Sequence, residues 1–104
     1  MINIPNQNYM IVNYGQTEQS RLAMEECAEL IQAINKVHRK KKGAINHCTE
    51  EIADVLIMIE QLKIMYNITD DDIQYWIDYK CERQINRLKF ADQNTLEYAD
   101  MPTV

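Results

Sequence analysis

Residues that interrupt helices are scarce in this chain of 104 residues, which contains two glycines and two prolines. Both prolines, Pro5 and Pro102, lie near the ends of the sequence. A glycine or proline inside a helix costs about 1–3 kcal/mol, so a long stretch almost free of both favours helices. The scarcity therefore predicts an all-α fold, and the length is sufficient for one domain with a modest core.

Excess positive charge is also lacking, because the formal net charge is -5. A generic nucleic-acid binder needs a basic face to collect phosphates, so we expect no nucleic-acid partner. The longest apolar run, residues 52–59, contains Asp54 and is too short to span a bilayer. The first ten residues show no basic region followed by an apolar stretch. We expect a cytoplasmic protein without a membrane partner.

Cysteine is limited to Cys27, Cys48 and Cys81, an odd number without a C-x-x-C spacing. This pattern argues against a disulfide framework and against a thiolate zinc site. We expect free, buried thiols in a reducing compartment.

Apolar residues at helical spacing predict three long helices. The first covers residues 17–42 and ends in a lysine run before a glycine cap at Gly43; the second runs from residues 46–49 to residue 66; the third covers residues 69–90, with Thr69 as its N-cap. We expect an N-terminal arm or short element at residues 1–16, a helical domain at residues 17–91 and a tail at residues 92–104. The expected inward side chains are Leu22, Cys27, Leu30, Ile34 and Val37 on the first helix, Ile52, Val55, Leu56, Ile59 and Leu62 on the second, and Ile73, Trp76, Ile77, Cys81, Ile85 and Leu88 on the third.

Two pairs of acidic residues stand at a spacing that places them on one helix face. Glu26 and Glu29 form the first pair, and Glu51 and Asp54 form the second. Asp54 lies within the most apolar helix, where an unpaired carboxylate costs several kcal/mol. Antiparallel packing of the two helices across a short connection brings the pairs together, so something must compensate their charge.

A structural salt bridge to lysine or arginine is the simpler explanation for any one of these acids. Four carboxylates at one place favour a hard divalent cation, Mg²⁺ with Mn²⁺ as a possible substitute. The rival di-iron site requires Glu-x-x-His pairs, and neither His38 nor His47 stands three residues after a glutamate.

The segments E-E-C-A-E-L at residues 25–30 and E-E-I-A-D-V-L at residues 50–56 resemble the double motif E-E-x-x-E and E-x-x-D of the MazG-like, all-α nucleoside triphosphate pyrophosphohydrolases. The resemblance extends over residues 17–90. It implies hydrolysis of an NTP or dNTP to a nucleoside monophosphate and pyrophosphate, with nucleotide-pool housecleaning as a possible role. It implies Glu26, Glu29, Glu51 and Asp54 as metal ligands and leaves Glu25 and Glu50 as accessory residues.

The family also carries K-x-x-x-N-x-x-R on a later helix. Lys80 and Arg87 match this pattern, Gln84 replaces the asparagine, and Arg83 is a further candidate for phosphate binding. Lys36 is the member of the basic run at residues 36–42 that we expect to reach a phosphate. Glu29, Glu51 and Lys80 are the expected catalytic residues, Glu29 as the acceptor of a proton from water.

The resemblance further implies a homodimer or homotetramer in which a helical bundle is completed by oligomerisation. Two alternatives remain open. One is a dUTPase-type member of the same superfamily, which shares the carboxylate set. The other is a non-catalytic helical assembly or regulatory module, in which the acids form salt bridges between helices.

Overall fold

A computed structural model describes residues 2–93 of the chain, and every regular element in that range is an α-helix. The elements are α1 (Ile4–Tyr14), α2 (Gln16–His38), α3 (Ala44–Tyr66) and α4 (Asp70–Gln93). The predicted all-α fold with three long helices and a short N-terminal element is confirmed. A single helix must be both long and apolar to cross a bilayer, and residues 2–93 contain no such helix.

The N-terminal arm is the helix α1. Asn3 caps it by accepting a hydrogen bond from the Asn6 amide at 2.9 Å, and Pro5 occupies the first turn, where its missing N–H is not needed. The helix ends at Gly15, whose φ of 93° and ψ of 150° belong to a region that essentially only glycine adopts. Gly15 is therefore the single residue between α1 and α2, and its conformation allows the chain to change direction there.

The connection between α2 and α3 corrects the expected role of Gly43. The helix α2 ends at His38, and Lys40 itself adopts the left-handed conformation with a φ of 55°. The Lys41 and Lys40 amides then donate to the Lys36 and Val37 carbonyls at 3.1 and 3.0 Å, the two bonds of a Schellman motif. Gly43, with a φ of 73°, instead precedes the first residue of α3.

The helix α3 packs against both α1 and α2. Its buried residues are Ala44, Glu51, Met58 and Gln61. The expected inward stripe is wrong in part, because Ile52, Leu56 and Ile59 are 42–52% exposed. The buried residues of α2 are Gln19, Ala23 and Ala33. The buried face of this helix is therefore formed by small and polar residues and not by the large aliphatic residues that were expected there.

The chain divides into two compact units, residues 1–68 and residues 69–104. The first contains α1, α2 and α3, and the described part of the second is α4. At the start of α4, the Thr69 hydroxyl accepts from the Asp72 amide and the Asp72 carboxylate accepts from the Thr69 amide, both at 3.1 Å. This reciprocal pair is a capping box, and it confirms Thr69 as the N-cap.

The expected tail overlaps α4, since residues 92 and 93 are helical. Residues 94–104 lie outside the described part of the chain. The three cysteines are free, as predicted. Their expected burial is wrong for Cys27 and Cys81, which are exposed, while Cys48 is half-buried. Cys27 lies beside the buried face of α2 and not within it.

Candidate metal centre

Carboxylates from α2 and α3 meet on the packed side of these two helices. The side chains of Glu26, Glu51 and Asp54 each offer an oxygen, and these oxygens lie within 4.8 Å of one another. We call these three residues the carboxylate cluster. The short turn after His38 reverses the chain, and the spacing of three residues between Glu51 and Asp54 keeps both on the face of α3 that packs against α2.

Glu29 is exposed, but its charge influences the carboxylate cluster. Its charge raises the pKa values of Glu26 and Glu51. The four acids expected to bind the metal therefore lie close enough together for their charges to interact. Their binding of a metal stays a prediction.

Burial makes the charge of the cluster costly. Glu51 is 7% exposed, and Glu26 and Asp54 are half-buried. The pKa of Glu26 rises to about 6, first because burial disfavours its charge and then because Asp54 and Glu29 carry the same sign. Burial, Glu29 and Asp54 raise the pKa of Glu51 as well, and His47 opposes this shift.

Two oxygens of the cluster have no partner. Oε2 of Glu26 and Oε2 of Glu51 are buried and accept no hydrogen bond. Within residues 2–68, neither lysine nor arginine forms an ion pair with the cluster. The explanation by a lysine or arginine salt bridge thus finds no support within residues 2–68, and the two buried oxygens lack a hydrogen-bond partner there.

His47 is a neighbour of the cluster that was not among the expected site residues. Its Nε2 lies 3.9 Å from Oε1 of Glu51. The Glu-x-x-His spacing of di-iron sites does not include His47. The available signal was the spacing of four residues from His47 to Glu51, which places both on one face of α3.

The residues present fit a divalent cation. All the donor atoms of the cluster are carboxylate oxygens, which Mg²⁺ and Mn²⁺ prefer. Two oxygens bound to one Mg²⁺ lie at most about 4.2 Å apart, twice the ion–oxygen distance. Small rotations of the side chains therefore bring oxygens separated by up to 4.8 Å into one coordination sphere.

Apart from Lys36, the residues expected to bind phosphate lie on α4, in the second unit. Lys80, Gln84 and Arg87 follow one another at steps of four and three residues and share a face of this helix. The guanidinium of Arg83 stands over the Tyr79 ring, 5.6 Å from its centroid, in a cation–π contact. Arg83 and Arg87 both line an open groove of about 500 Å³ along α4, which Lys80 and Gln84 do not line.

The remaining expected site residues do not join the cluster. Glu25 and Glu50, one residue before Glu26 and Glu51, are exposed. Lys36 is half-buried in the last turn of α2, and seven residues separate it from Glu29, a rise of about 10.5 Å along the helix. These positions suit solvated side chains.

Comparisons with known proteins identify no relative, since no family model, curated protein or solved structure matches the chain.

Proposed function

We propose that this chain is a metal-dependent nucleoside triphosphate pyrophosphohydrolase that converts an NTP or dNTP to a nucleoside monophosphate and pyrophosphate. The observation that supports it best is the pair of buried, unpartnered oxygens on Glu26 and Glu51 beside Asp54. Glu26 and Glu51 would hold a divalent cation through these atoms, and the bound cation would attract a polyphosphate. The similarity to the MazG-like double motif supplies the reaction type.

In this proposal Glu26, Glu29, Glu51 and Asp54 hold Mg²⁺, which supplies neutralisation of phosphate charge and a lowered pKa of water when it is bound. Glu29 is exposed, and its charge raises the pKa of Glu51, which supports a role for Glu29 as the acceptor of the proton of the attacking water. Water adds across the anhydride between the α and β phosphates, and pyrophosphate leaves with the bridging oxygen. Phosphate binding by Lys80 and Arg87 stays a prediction from the family pattern, and the planar fork of arginine suits phosphate oxygens.

The experiment is a hydrolysis panel over NTPs and dNTPs with Mg²⁺, in which chromatography separates the monophosphate and pyrophosphate from diphosphate and phosphate. We expect Asp54→Asn to lower turnover by about 100-fold or more, because even outer partners of metal ligands affect activity by about 10–100-fold. Glu50→Gln is the matched control, since it removes an exposed carboxylate from the same helix. Equal turnover in Asp54→Asn and Glu50→Gln would rule out the proposed centre.

We also propose that the chain assembles as a homodimer or homotetramer. On α2, Met24 and Ile31 are 66% and 69% exposed, and on α3 Leu56 is 52% exposed. The expected inward residues of α4 are also open in the single chain, with Trp76 53% and Leu88 51% exposed. Apolar surface of this extent is typical of an interface, and a second copy of the chain is a partner that covers it.

A further inference from the structure

The inward face of α3 carries a histidine as well as carboxylates. From the buried Ala44, successive steps of three, four and three residues lead to His47, Glu51 and Asp54. Residues at these steps share one face of a helix, and the residues before and after His47 on this face, Ala44 and Glu51, are both buried. His47 therefore lies on the face of α3 that contributes to the carboxylate cluster.

The separation between His47 and Glu51 has the width that a metal ion requires. Nε2 of His47 lies 3.9 Å from Oε1 of Glu51. A hydrogen bond joins donor and acceptor at about 2.7–3.2 Å, so this contact is too long to be one. Two ligand atoms on one divalent cation lie at most about 4.2 Å apart, twice the distance from the ion to nitrogen or oxygen. One cation between Nε2 and Oε1 therefore fits the observed distance.

An ion pair between a protonated His47 and Glu51 is the other use of this contact. The pair engages Oε1 of Glu51 and leaves Oε2, which is buried without a hydrogen bond, still without a partner. A cation gives Oε2 a partner as well, because a carboxylate binds metal through one or both of its oxygens. Neutral imidazole presents a lone pair to metal, which lysine and arginine lack. A shared cation thus accounts for both oxygens of Glu51.

His47 stands at the edge of the carboxylate cluster. The ligand atoms that lie within 4.8 Å of one another are oxygens of Glu26, Glu51 and Asp54, and this set does not include a nitrogen of His47. The side chain of His47 is 40% exposed and that of Glu51 is 9% exposed. The imidazole therefore has room to turn toward an ion that the buried carboxylate holds, and solvent reaches this edge to complete the coordination.

An imidazole nitrogen changes which metal a carboxylate centre prefers. Mg²⁺ takes oxygen ligands, imidazole suits transition-metal ions, and Mn²⁺ is the transition-metal ion that carboxylates also suit. We propose that His47 binds a divalent cation together with Glu51, and that its nitrogen makes the centre prefer Mn²⁺ over Mg²⁺. The proposal rests on the proposed function for the presence of a metal at the carboxylate cluster, and it does not depend on the reaction.

Calorimetric titration of the full chain with Mn²⁺ and with Mg²⁺ measures this preference. We expect Mn²⁺ to bind the wild type more tightly than Mg²⁺ by about 10-fold or more. His47→Gln should weaken Mn²⁺ binding by about 10-fold or more and change Mg²⁺ binding little, since the amide offers an oxygen in place of the nitrogen. His38→Gln is the matched control, because His38 is the other histidine of the chain and is exposed. An unchanged ratio of the two affinities in His47→Gln would overturn the proposal, as would a wild type that binds no Mn²⁺.

Pulsed electron paramagnetic resonance of bound Mn²⁺ detects a nitrogen ligand directly, and it requires only the wild type. With isotopically labelled histidine and less than one equivalent of Mn²⁺, the spectrum should show coupling between the metal and the labelled nitrogen. This coupling should disappear in His47→Gln and persist in His38→Gln, with thermal melts to verify folding. A wild type that binds Mn²⁺ without coupling to histidine nitrogen, or coupling that disappears in His38→Gln alone, would refute the assignment of His47.

The role of His47 and the proposed hydrolysis fail separately. Nitrogen coupling in a protein that hydrolyses no NTP or dNTP would retain His47 as a ligand and refute the hydrolysis. Hydrolysis by the Mn²⁺-loaded protein without nitrogen coupling would retain the hydrolysis and overturn the role of His47.

Discussion

At the scale of single residues, the buried acids place a cost on the metal-free protein. Glu26 and Glu51 each hold an oxygen that no hydrogen bond satisfies, and burial raises the pKa values of both groups. Side chains selected for stability alone would be apolar at such positions. The buried acids therefore lower the stability of the protein without a ligand, which is typical of a preformed binding site.

The dependence of stability on pH tests this view. The pKa of Glu26 rises from 4.5 to about 6 on folding. Between these values the folded state binds more protons than the unfolded state, so the free energy of unfolding decreases as pH rises through 6. The stabilisation is complete below pH 4.5, and at neutral pH without metal it is lost. We expect Glu26→Gln to be more stable than the wild type at pH 7.5 without metal, by on the order of 1 kcal/mol after solvent screening.

Urea unfolding in the presence of a chelator, at pH 5.0 and at pH 7.5, measures the difference between Glu26→Gln and the wild type. The difference should shrink at pH 5.0, and Mg²⁺ should stabilise the wild type more than the variant. Glu25→Gln serves as the control because it removes an exposed carboxylate one residue away. A Glu26→Gln protein less stable than the wild type at pH 7.5 would show that the charge of Glu26 is already compensated.

At the scale of secondary structure, local signals in the sequence decide where helices begin and end. Thr69 followed by acidic residues predicted the start of α4, and the capping box with Asp72 confirms it. Asn67 ends α3 in the left-handed conformation, with a φ of 56°. The assignment of Gly43 failed because Lys40 took the left-handed position after α2, a conformation that an L-residue can adopt at modest cost when two backbone hydrogen bonds support it.

Substitution at the capping box tests the start of α4. Thr69→Ala removes the hydroxyl that accepts from the Asp72 amide, and we expect a loss of about 1 kcal/mol in the stability of α4. Thr69→Ser keeps the hydroxyl and should lose much less. The Thr69 amide and hydroxyl hold the pKa of Asp72 below its ordinary value, so the contribution of Asp72 should be present at neutral pH and decrease as pH falls through that lowered pKa.

Amide hydrogen exchange over the first turns of α4 measures this effect locally. Thr69→Ala should exchange faster there than the wild type at pH 7, and the difference from the wild type should narrow in acid. Unchanged protection in Thr69→Ala would show that contacts elsewhere, and not the capping box, hold the first turn.

At the scale of the whole molecule, exposed large apolar side chains outnumber buried ones among residues 2–93. The buried apolar residues within residues 2–93 are Ile11, Ala23, Ala33, Ala44 and Met58, and only Ile11 and Met58 have large side chains. A core of this size gives little hydrophobic stabilisation at about 25 cal/mol per Å². In the proposed oligomer, contacts between copies of the chain bury the remaining apolar surface on α2, α3 and α4.

Disrupting the exposed face of α2 tests the assembly. Met24 and Ile31 both line a shallow groove between α2 and α3, and a charge buried there costs several kcal/mol when it is unpaired. We expect Met24→Glu combined with Ile31→Glu to convert the protein to monomers in sedimentation equilibrium. Gln32→Glu introduces the same charge beside Ile31 at an exposed polar position and should leave the assembly unchanged. A wild type that sediments as a monomer at all concentrations would refute the proposed oligomer.

The sequence by itself determined the helices and the four acids, because both depend on short spacings. Helical periodicity, scarce glycine and proline, and capping residues are local properties, and a step of three residues places Glu51 and Asp54 on one face whatever surrounds them. Local spacing does not decide which side of α3 faces inward. Its circumference is apolar almost throughout, so periodicity could not choose between Ile52 and Met58, and packing against α1 and α2 made the choice.

Only the tertiary structure joined Gln7, Gln19 and Gln61, which are separated by up to 54 residues, into one chain of amides beside a cavity. Glutamine is ordinarily a surface residue of helices, so nothing in the sequence marks these three as buried. The same packing buried two carboxylate oxygens without partners. Burial and partnership depend on all the neighbouring helices together, which is why they emerge only when the chain is folded.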